Sequence, residues 1–185
     1  MNTALRIAVM IGSIRKERQS HKPAEILITK LEAVGVEIIR LDLRDLDLPL
    51  FDDGIDTSGR TTLLDGYKKM DGMIIVAPEY NHSAPGAVKN AIDFAREKEL
   101  TGKPVTVVGV SRGVKGGARM IPSLRNMIYG VNAMTIPTKL EVGNVMELDP
   151  GRVDEGLNKA MDEFIAKSLH WFQIIKDGKA ANPTE

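Results

Sequence analysis

No cysteine occurs in the 185 residues. That excludes disulfides, thiolate nucleophiles, cysteine-ligated zinc and cysteine-ligated iron–sulfur clusters. It is compatible with a reducing, cytoplasmic location. No net charge remains either, because 25 Lys and Arg balance 25 Asp and Glu. Nothing in the overall charge draws the chain to nucleic acid or to a membrane surface. No stretch approaches the roughly 18 apolar residues of a membrane span. The opening MNTALRIAVMIG has a short apolar run without a cleavage-site pattern and reads as a first strand. There is no internal repeat, low-complexity tract or interdomain linker, and no metal-ligand set is expected. What is present is ordinary for a globular protein, with 43% hydrophobic and 27% charged residues. The length predicts one domain with a substantial core. It is expected over residues 1–178, with a loose polar C-terminal tail at 179–185.

The strands announce themselves as short runs rich in Val and Ile: LRIAVMIG, VEIIRLD, GMIIVAP and PVTVVGVS. Three are nearly continuous in apolar residues, as in parallel strands covered on both faces. MTIPTKL is a weaker fifth, because Pro137 fits only an edge strand or a strand end. Helical patterns separate them at 23–34, 61–70, 86–98 and 117–129, and a long one follows at 152–176. The first places Ile26, Leu27, Leu31 and Val34 on one side. Alternation of strand and helix predicts a three-layer α/β domain with a parallel sheet. Five strands favour the flavodoxin-like order 2-1-3-4-5, in which strands 1 and 3 meet at the topological switch point. The loops that follow them diverge there and leave a crevice.

The first of those loops is GSIRKERQS. A loop that joins a strand to a helix N-terminus can hold a phosphate on its N–H groups. Ser13 and Ser20 add hydroxyls, and Arg15 adds a permanent planar charge. The same residues also suit a polar surface loop with Ser20 capping a helix entered at Lys22–Pro23. Neither GxGxxG nor GxxxxGK[ST] follows strand 1, which argues against dinucleotide and nucleoside-triphosphate sites. A single phosphate fits a mononucleotide better.

The second loop, PEYNHSAPG, runs between two prolines that restrict its path. Main-chain groups near Glu79, Tyr80 and Asn81 suit the edge of a planar heterocycle, and Tyr80 offers an aromatic surface. Glu79 also reads as a structural anchor, and Ser83 as a cap for the helix that begins near Pro85. The third loop, SRGVKGGARM, follows strand 4. Its glycines allow close backbone approach, and its N–H groups suit negative charge on a bound ring. A flexible turn is the plain alternative.

GSIR, PEYNHSAPGAVKNAIDF and SRGVKGGAR, in this order and spacing, resemble the NADPH-dependent FMN reductase family of quinone, azo-dye and chromate reductases. DLPLFDD at 47–53 is similar to the segment these proteins carry after strand 2. The resemblance covers roughly residues 5 to 140. It implies FMN as cofactor, with its phosphate on Ser13, Arg15 and Ser20. Main-chain groups of Pro78, Glu79, Tyr80 and Asn81 are expected to hold the ring, and Ser111 and Gly117 to lie near its pyrimidine edge. It gives no role to Arg18, His21 or His82, and no catalytic side chain is named.

The expected activity is an FMN-dependent NAD(P)H oxidoreductase, with NADPH or NADH as co-substrate and a small-molecule electron acceptor. The flavin carries the hydride chemistry and the protein supplies position. One crevice serving donor and acceptor implies a ping-pong mechanism. The alternative is a flavodoxin-like electron carrier without a substrate of its own, although such carriers are typically acidic. A homodimer or homotetramer is expected, with Ile92 and Phe94 on different sides of the 86–98 helix, one packing on the sheet and the other on a partner. No nucleic-acid or membrane partner is expected.

Overall fold

The computed structural model describes residues 4–52, 54–95 and 99–181. The Val- and Ile-rich runs become five strands: β1 (Arg6–Ile11), β2 (Glu37–Asp42), β3 (Gly72–Pro78), β4 (Pro104–Val110) and β5 (Met134–Val142). All neighbours pair in parallel, in the order β2-β1-β3-β4-β5. Every residue of β4 is buried and β3 is buried up to Pro78, which is why their sequences are continuously apolar rather than alternating. The register sets Ile11 beside Val76 and Pro78 beside Val110. The three central strands therefore release their following loops at one common edge.

Helices cover both faces. One core lies under α1 (His21–Ala33) and the long α6 (Glu155–Ala181), where Leu27, Leu31, Phe164 and Phe172 meet Val9, Ile74 and Val108. The other lies under α3 (Ser58–Lys69), α4 (Gly86–Asp93) and α5 (Met120–Gly130), where Tyr67, Val88 and Leu124 meet Met10, Ile75 and Val107. The Tyr67 hydroxyl is fully buried and donates to the Ala91 carbonyl at 3.1 Å, so burial raises its pKa. The result is the three-layer flavodoxin-like fold.

Pro137 lies in edge strand β5, between Thr135 and Lys139, where the pairing with β4 shifts register. Several boundaries differ from the periodic patterns, each for a local reason. A short α2 (Leu43–Leu46), unexpected from periodicity, follows Asp42, whose side chain accepts from the Arg44 amide. Val34 does not join the core; it is the exposed C-cap of α1. Helix α4 stops at Asp93, and residues 96–98 of its expected course lie outside the described residues. Helix α5 starts at Met120, because Gly116 and Gly117 have φ of 54° and 77°. Helix α6 begins after Asp154, which accepts from the Leu157 amide, and it continues to Ala181, into the expected tail. Among the described residues, no helix is long and apolar enough to cross a membrane.

Candidate active site

The chain leaves β1 at Gly12, whose amide donates to the Val76 carbonyl at 2.8 Å. A β-carbon there would stand 2.6 Å from Val88, so only glycine fits this close approach. The next residue, Ser13, is fully buried, and its hydroxyl lies 3.0 Å from the Tyr80 hydroxyl. The loops after β1 and β3 are thereby tied across the switch point.

The first loop is shaped by an ion pair. Arg18 binds both oxygens of Asp42, at 2.5 and 2.6 Å, and donates to the Ser13 carbonyl at 2.9 Å. Asp42 ends β2 and is almost fully buried. His21 Nδ1 donates to the Arg18 carbonyl at 2.8 Å. Arg18 and His21 therefore hold the loop. Arg15 is left exposed, with its guanidinium 5.7 Å from the centre of the Tyr80 ring.

Ser20 does not do what a capping serine does. It precedes α1 with helical φ and ψ, and its hydroxyl makes no capping bond. That hydroxyl is buried and has no hydrogen-bond partner among the described residues. Buried polar atoms are nearly always paired, so an orphan at a helix N-terminus needs an explanation. A phosphate oxygen supplies one.

In the second loop Tyr80 and Ser83 exchange backbone bonds at 2.9 and 3.0 Å around a two-residue turn. Asn81 and His82 sit in the turn with φ of 48° and 64°, both left-handed, as tight hairpin turns require. The Glu79 amide donates to Val110, and its carboxylate accepts from the Arg119 and Met120 amides at 3.0 and 3.2 Å. Glu79 is thus the anchor that caps α5. Ser83 meets the Ser123 hydroxyl at 2.8 Å instead of capping α4. His82 Nε2 lies 2.5 Å from Arg119 Nη1. A guanidinium can only donate, so His82 Nε2 is the acceptor in this contact.

These loops enclose a crevice of about 330 Å³, at the small end of ligand sites. Of the nine residues expected to bind the cofactor, Ser13, Arg15, Ser20, Pro78, Glu79, Tyr80 and Ser111 line it, whereas Asn81 and Gly117 do not. Asn81 is occupied in the turn. Gly117 packs flat on β4, where a β-carbon would stand 2.9 Å from the Val110 amide. Arg112, Val110 and Val145 also line the crevice and were not singled out in the sequence. Beside it, Asn90 pins the segment after α2, accepting from the Phe51 amide and donating to the Pro49 carbonyl, each at 2.8 Å. Asp53, at the end of that segment, lies outside the described residues.

A doubly wound five-stranded sheet, with a hydroxyl- and arginine-lined crevice at its switch point and no dinucleotide fingerprint, defines a mononucleotide-binding protein of flavodoxin-like fold. A profile of the NADPH-dependent FMN reductase family matches residues 5–147, and the chain belongs to that family. A quinone reductase of Escherichia coli is 31% identical over 171 residues, covering 88% of each chain. A 2-hydroxy-1,4-benzoquinone reductase of Burkholderia sp. is 33% identical over 182 residues, 91% of this chain and 96% of that one. Among solved structures, the flavoenzyme NAD(P)H:(acceptor) oxidoreductase FerB of Paracoccus denitrificans superposes with a TM-score of 0.80 at 30% identity, covering 92% of this chain and 98% of that one.

Proposed function

We propose that this protein is an FMN-dependent NAD(P)H oxidoreductase that passes electrons to quinones or other small acceptors such as azo dyes, chromate, free flavin or ferric chelates. The observation that carries the reading is the buried, unpartnered Ser20 hydroxyl beside Ser13 and Arg15. These three residues would hold the single phosphate, and Pro78, Glu79 and Tyr80 would support the ring, with Ser111 on its far edge. FMN held there would supply the hydride and electron-transfer chemistry that links the nicotinamide to the acceptor.

The chain's own contribution is position. The Arg18–Asp42 pair fixes the phosphate loop, and the Tyr80–Ser83 turn fixes the ring loop. Hydride transfer needs reacting atoms within about 3–3.5 Å, so donor and acceptor must use the same crevice in turn. The mechanism is therefore ping-pong, and excess quinone competes with NAD(P)H. The carrier alternative fits the fold equally, but it does not account for exposed arginines at the crevice of a neutral chain.

We assign a homodimer or homotetramer on different grounds from those the sequence suggests. Ile92 and Phe94 are both buried within the chain, Phe94 against Phe51 with ring centres 5.3 Å apart. Exposed Ile14, Leu50 and Phe51, beside an apolar groove, supply the surface instead. A cytoplasmic location belongs to the same reading, since NAD(P)H is supplied there.

Chromatography of extracted flavin and initial-rate kinetics test the proposal. FMN rather than FAD, with parallel double-reciprocal lines, is the expected result. Protein that neither carries nor rebinds FMN overturns the cofactor reading, and intersecting lines overturn the single-crevice mechanism.

A further inference from the structure

Three arginines line the crevice, and they are not equivalent. Arg18 is neutralised by Asp42, and Arg15 lies over the Tyr80 ring. Arg112 is exposed, and among the described residues it has neither a carboxylate nor a hydrogen-bond acceptor within reach. Elsewhere, surface cations of this neutral chain are commonly paired, as in Lys30–Asp162, Arg40–Glu25, Lys89–Asp93 and Lys139–Glu141. The acidic groups on the crevice wall do not offset Arg112. Glu79 is committed to the α5 amides, and Glu17 makes no ion pair with it.

The backbone under Arg112 is fixed on both sides. The Ser111 amide donates to the Val142 carbonyl at 3.0 Å, and the Val145 amide to the Ser111 carbonyl at 3.2 Å. The Ser111 hydroxyl donates to the Gly113 carbonyl at 2.7 Å, and the Asn144 amide donates there at 3.1 Å. A β-carbon on Gly143 would stand 2.6 Å from the Val114 carbonyl oxygen, so the two loops touch directly. A free guanidinium on a rigid base, at the mouth of a narrow cleft, concentrates positive potential where a second molecule enters. The cofactor's one phosphate is already assigned to Ser13, Arg15 and Ser20, which leaves the Arg112 guanidinium for a second molecule.

We infer that Arg112 is a specificity-determining residue that reads an anionic group on the substrate entering the crevice. The group is a carboxylate, sulfonate, ionised hydroxyl or phosphate, carried either by the acceptor or by the 2′-position of the nicotinamide donor. The planar fork of Arg112 suits any of these. The inference deepens the oxidoreductase reading and rests on it.

The test uses the full-length, FMN-loaded protein and the variants Arg112→Gln, Arg112→Glu and Arg112→Lys. Two matched pairs are compared: a sulfonated against a neutral benzoquinone, and NADPH against NADH. Calorimetric binding of naphthalenesulfonate, which accepts no electrons, gives a readout independent of turnover. For R112Q, the anionic-to-neutral ratio of kcat/KM is expected to fall about fivefold in one pair, through KM, as for a partly exposed ion pair. R112E falls further and R112K retains most of the ratio. Naphthalenesulfonate binding weakens in parallel, and the difference shrinks as salt rises to about 1 M. A change in the quinone pair assigns the anion to the acceptor, and a change in the nucleotide pair assigns it to the donor. Unchanged ratios in both pairs, or equal losses on charged and neutral partners, overturn the inference. If the wild-type protein held no FMN, the oxidoreductase reading would fail instead, and the calorimetric comparison of wild type with R112E would still decide for or against Arg112.

Discussion

Arg18 and Asp42 are 24 positions apart in the chain and meet through two bonds of 2.5 and 2.6 Å, largely out of contact with water. Their pairing joins the end of β2 to the loop after β1, and through the Ser13 carbonyl it sets the course of that loop.

Removing one partner of a buried pair leaves the other charge stranded. Arg18→Ala is expected to destabilise the protein by about 3 kcal/mol, since among the described residues Asp42 would keep just the Arg40 charge, at 3.5 Å, and the Arg44 amide. FMN affinity should fall at least roughly tenfold, although Arg18 need not touch the phosphate. The double variant Arg18→Ala with Asp42→Ala should recover part of the stability, read by urea unfolding, but not the affinity, read by flavin fluorescence. Recovery of both would mean that the pair does not shape the loop.

Ser20→Ala separates a structural hydroxyl from a ligand-binding one. The hydroxyl has no partner among the described residues, so the flavin-free protein should change by less than about 0.5 kcal/mol. FMN binding should weaken roughly ten- to a hundredfold, the loss of one hydrogen bond to a charged group. Destabilised flavin-free protein with unaltered FMN affinity would reverse the assignment.

Arg15 contributes charge rather than structure, because its contact is the Tyr80 ring. Arg15→Ala should leave the unfolding midpoint nearly unchanged and cost FMN binding about 1.5–3 kcal/mol. That is roughly ten- to a hundredfold in a fluorescence titration. Unchanged affinity would put the phosphate elsewhere.

Lys103 provides a pH signature away from the site. Its ammonium donates to the Lys68 and Met70 carbonyls at 2.9 and 2.8 Å, near the end of α3. Burial first, then the nearby Lys179 charge, lowers its pKa from 10.5 to about 8. Below about pH 8 the native state bears the full cost of the charged form. As pH rises from about 8 to 10.5, the native group loses its proton before the unfolded one, and that cost fades. Wild-type stability measured against Lys103→Met should therefore rise through this window and stay flat below it. Parallel urea-midpoint profiles for the two proteins would contradict the assignment.

The layers of the fold were legible because buried parallel strands must be apolar on both faces, and GMIIVAP and PVTVVGVS are. The crevice was legible because strand order fixes where the loops diverge. Pro137 announced an edge strand by its missing donor. What stayed hidden depends on tertiary pairing. Nothing local to Arg18 points to Asp42, and nothing local to Arg112 shows that it has no partner among the described residues. Gly117 read as a ligand contact because a glycine that admits a ligand and one that admits a strand look alike in sequence. The apparent division of Ile92 and Phe94 failed because α4 ends at Asp93 and Phe94 turns back onto Phe51.

The central claim is that this chain alone takes electrons from a nicotinamide into FMN held by the loops after β1 and β3. Anaerobic stopped-flow mixing of the FMN-loaded protein with NADPH tests it most directly. The flavin absorbance should bleach at least as fast as steady-state turnover, with no other protein present. Flavin that stays oxidised under NADPH and NADH alike, and bleaches only when a separate reductase is added, would contradict it and define an electron carrier.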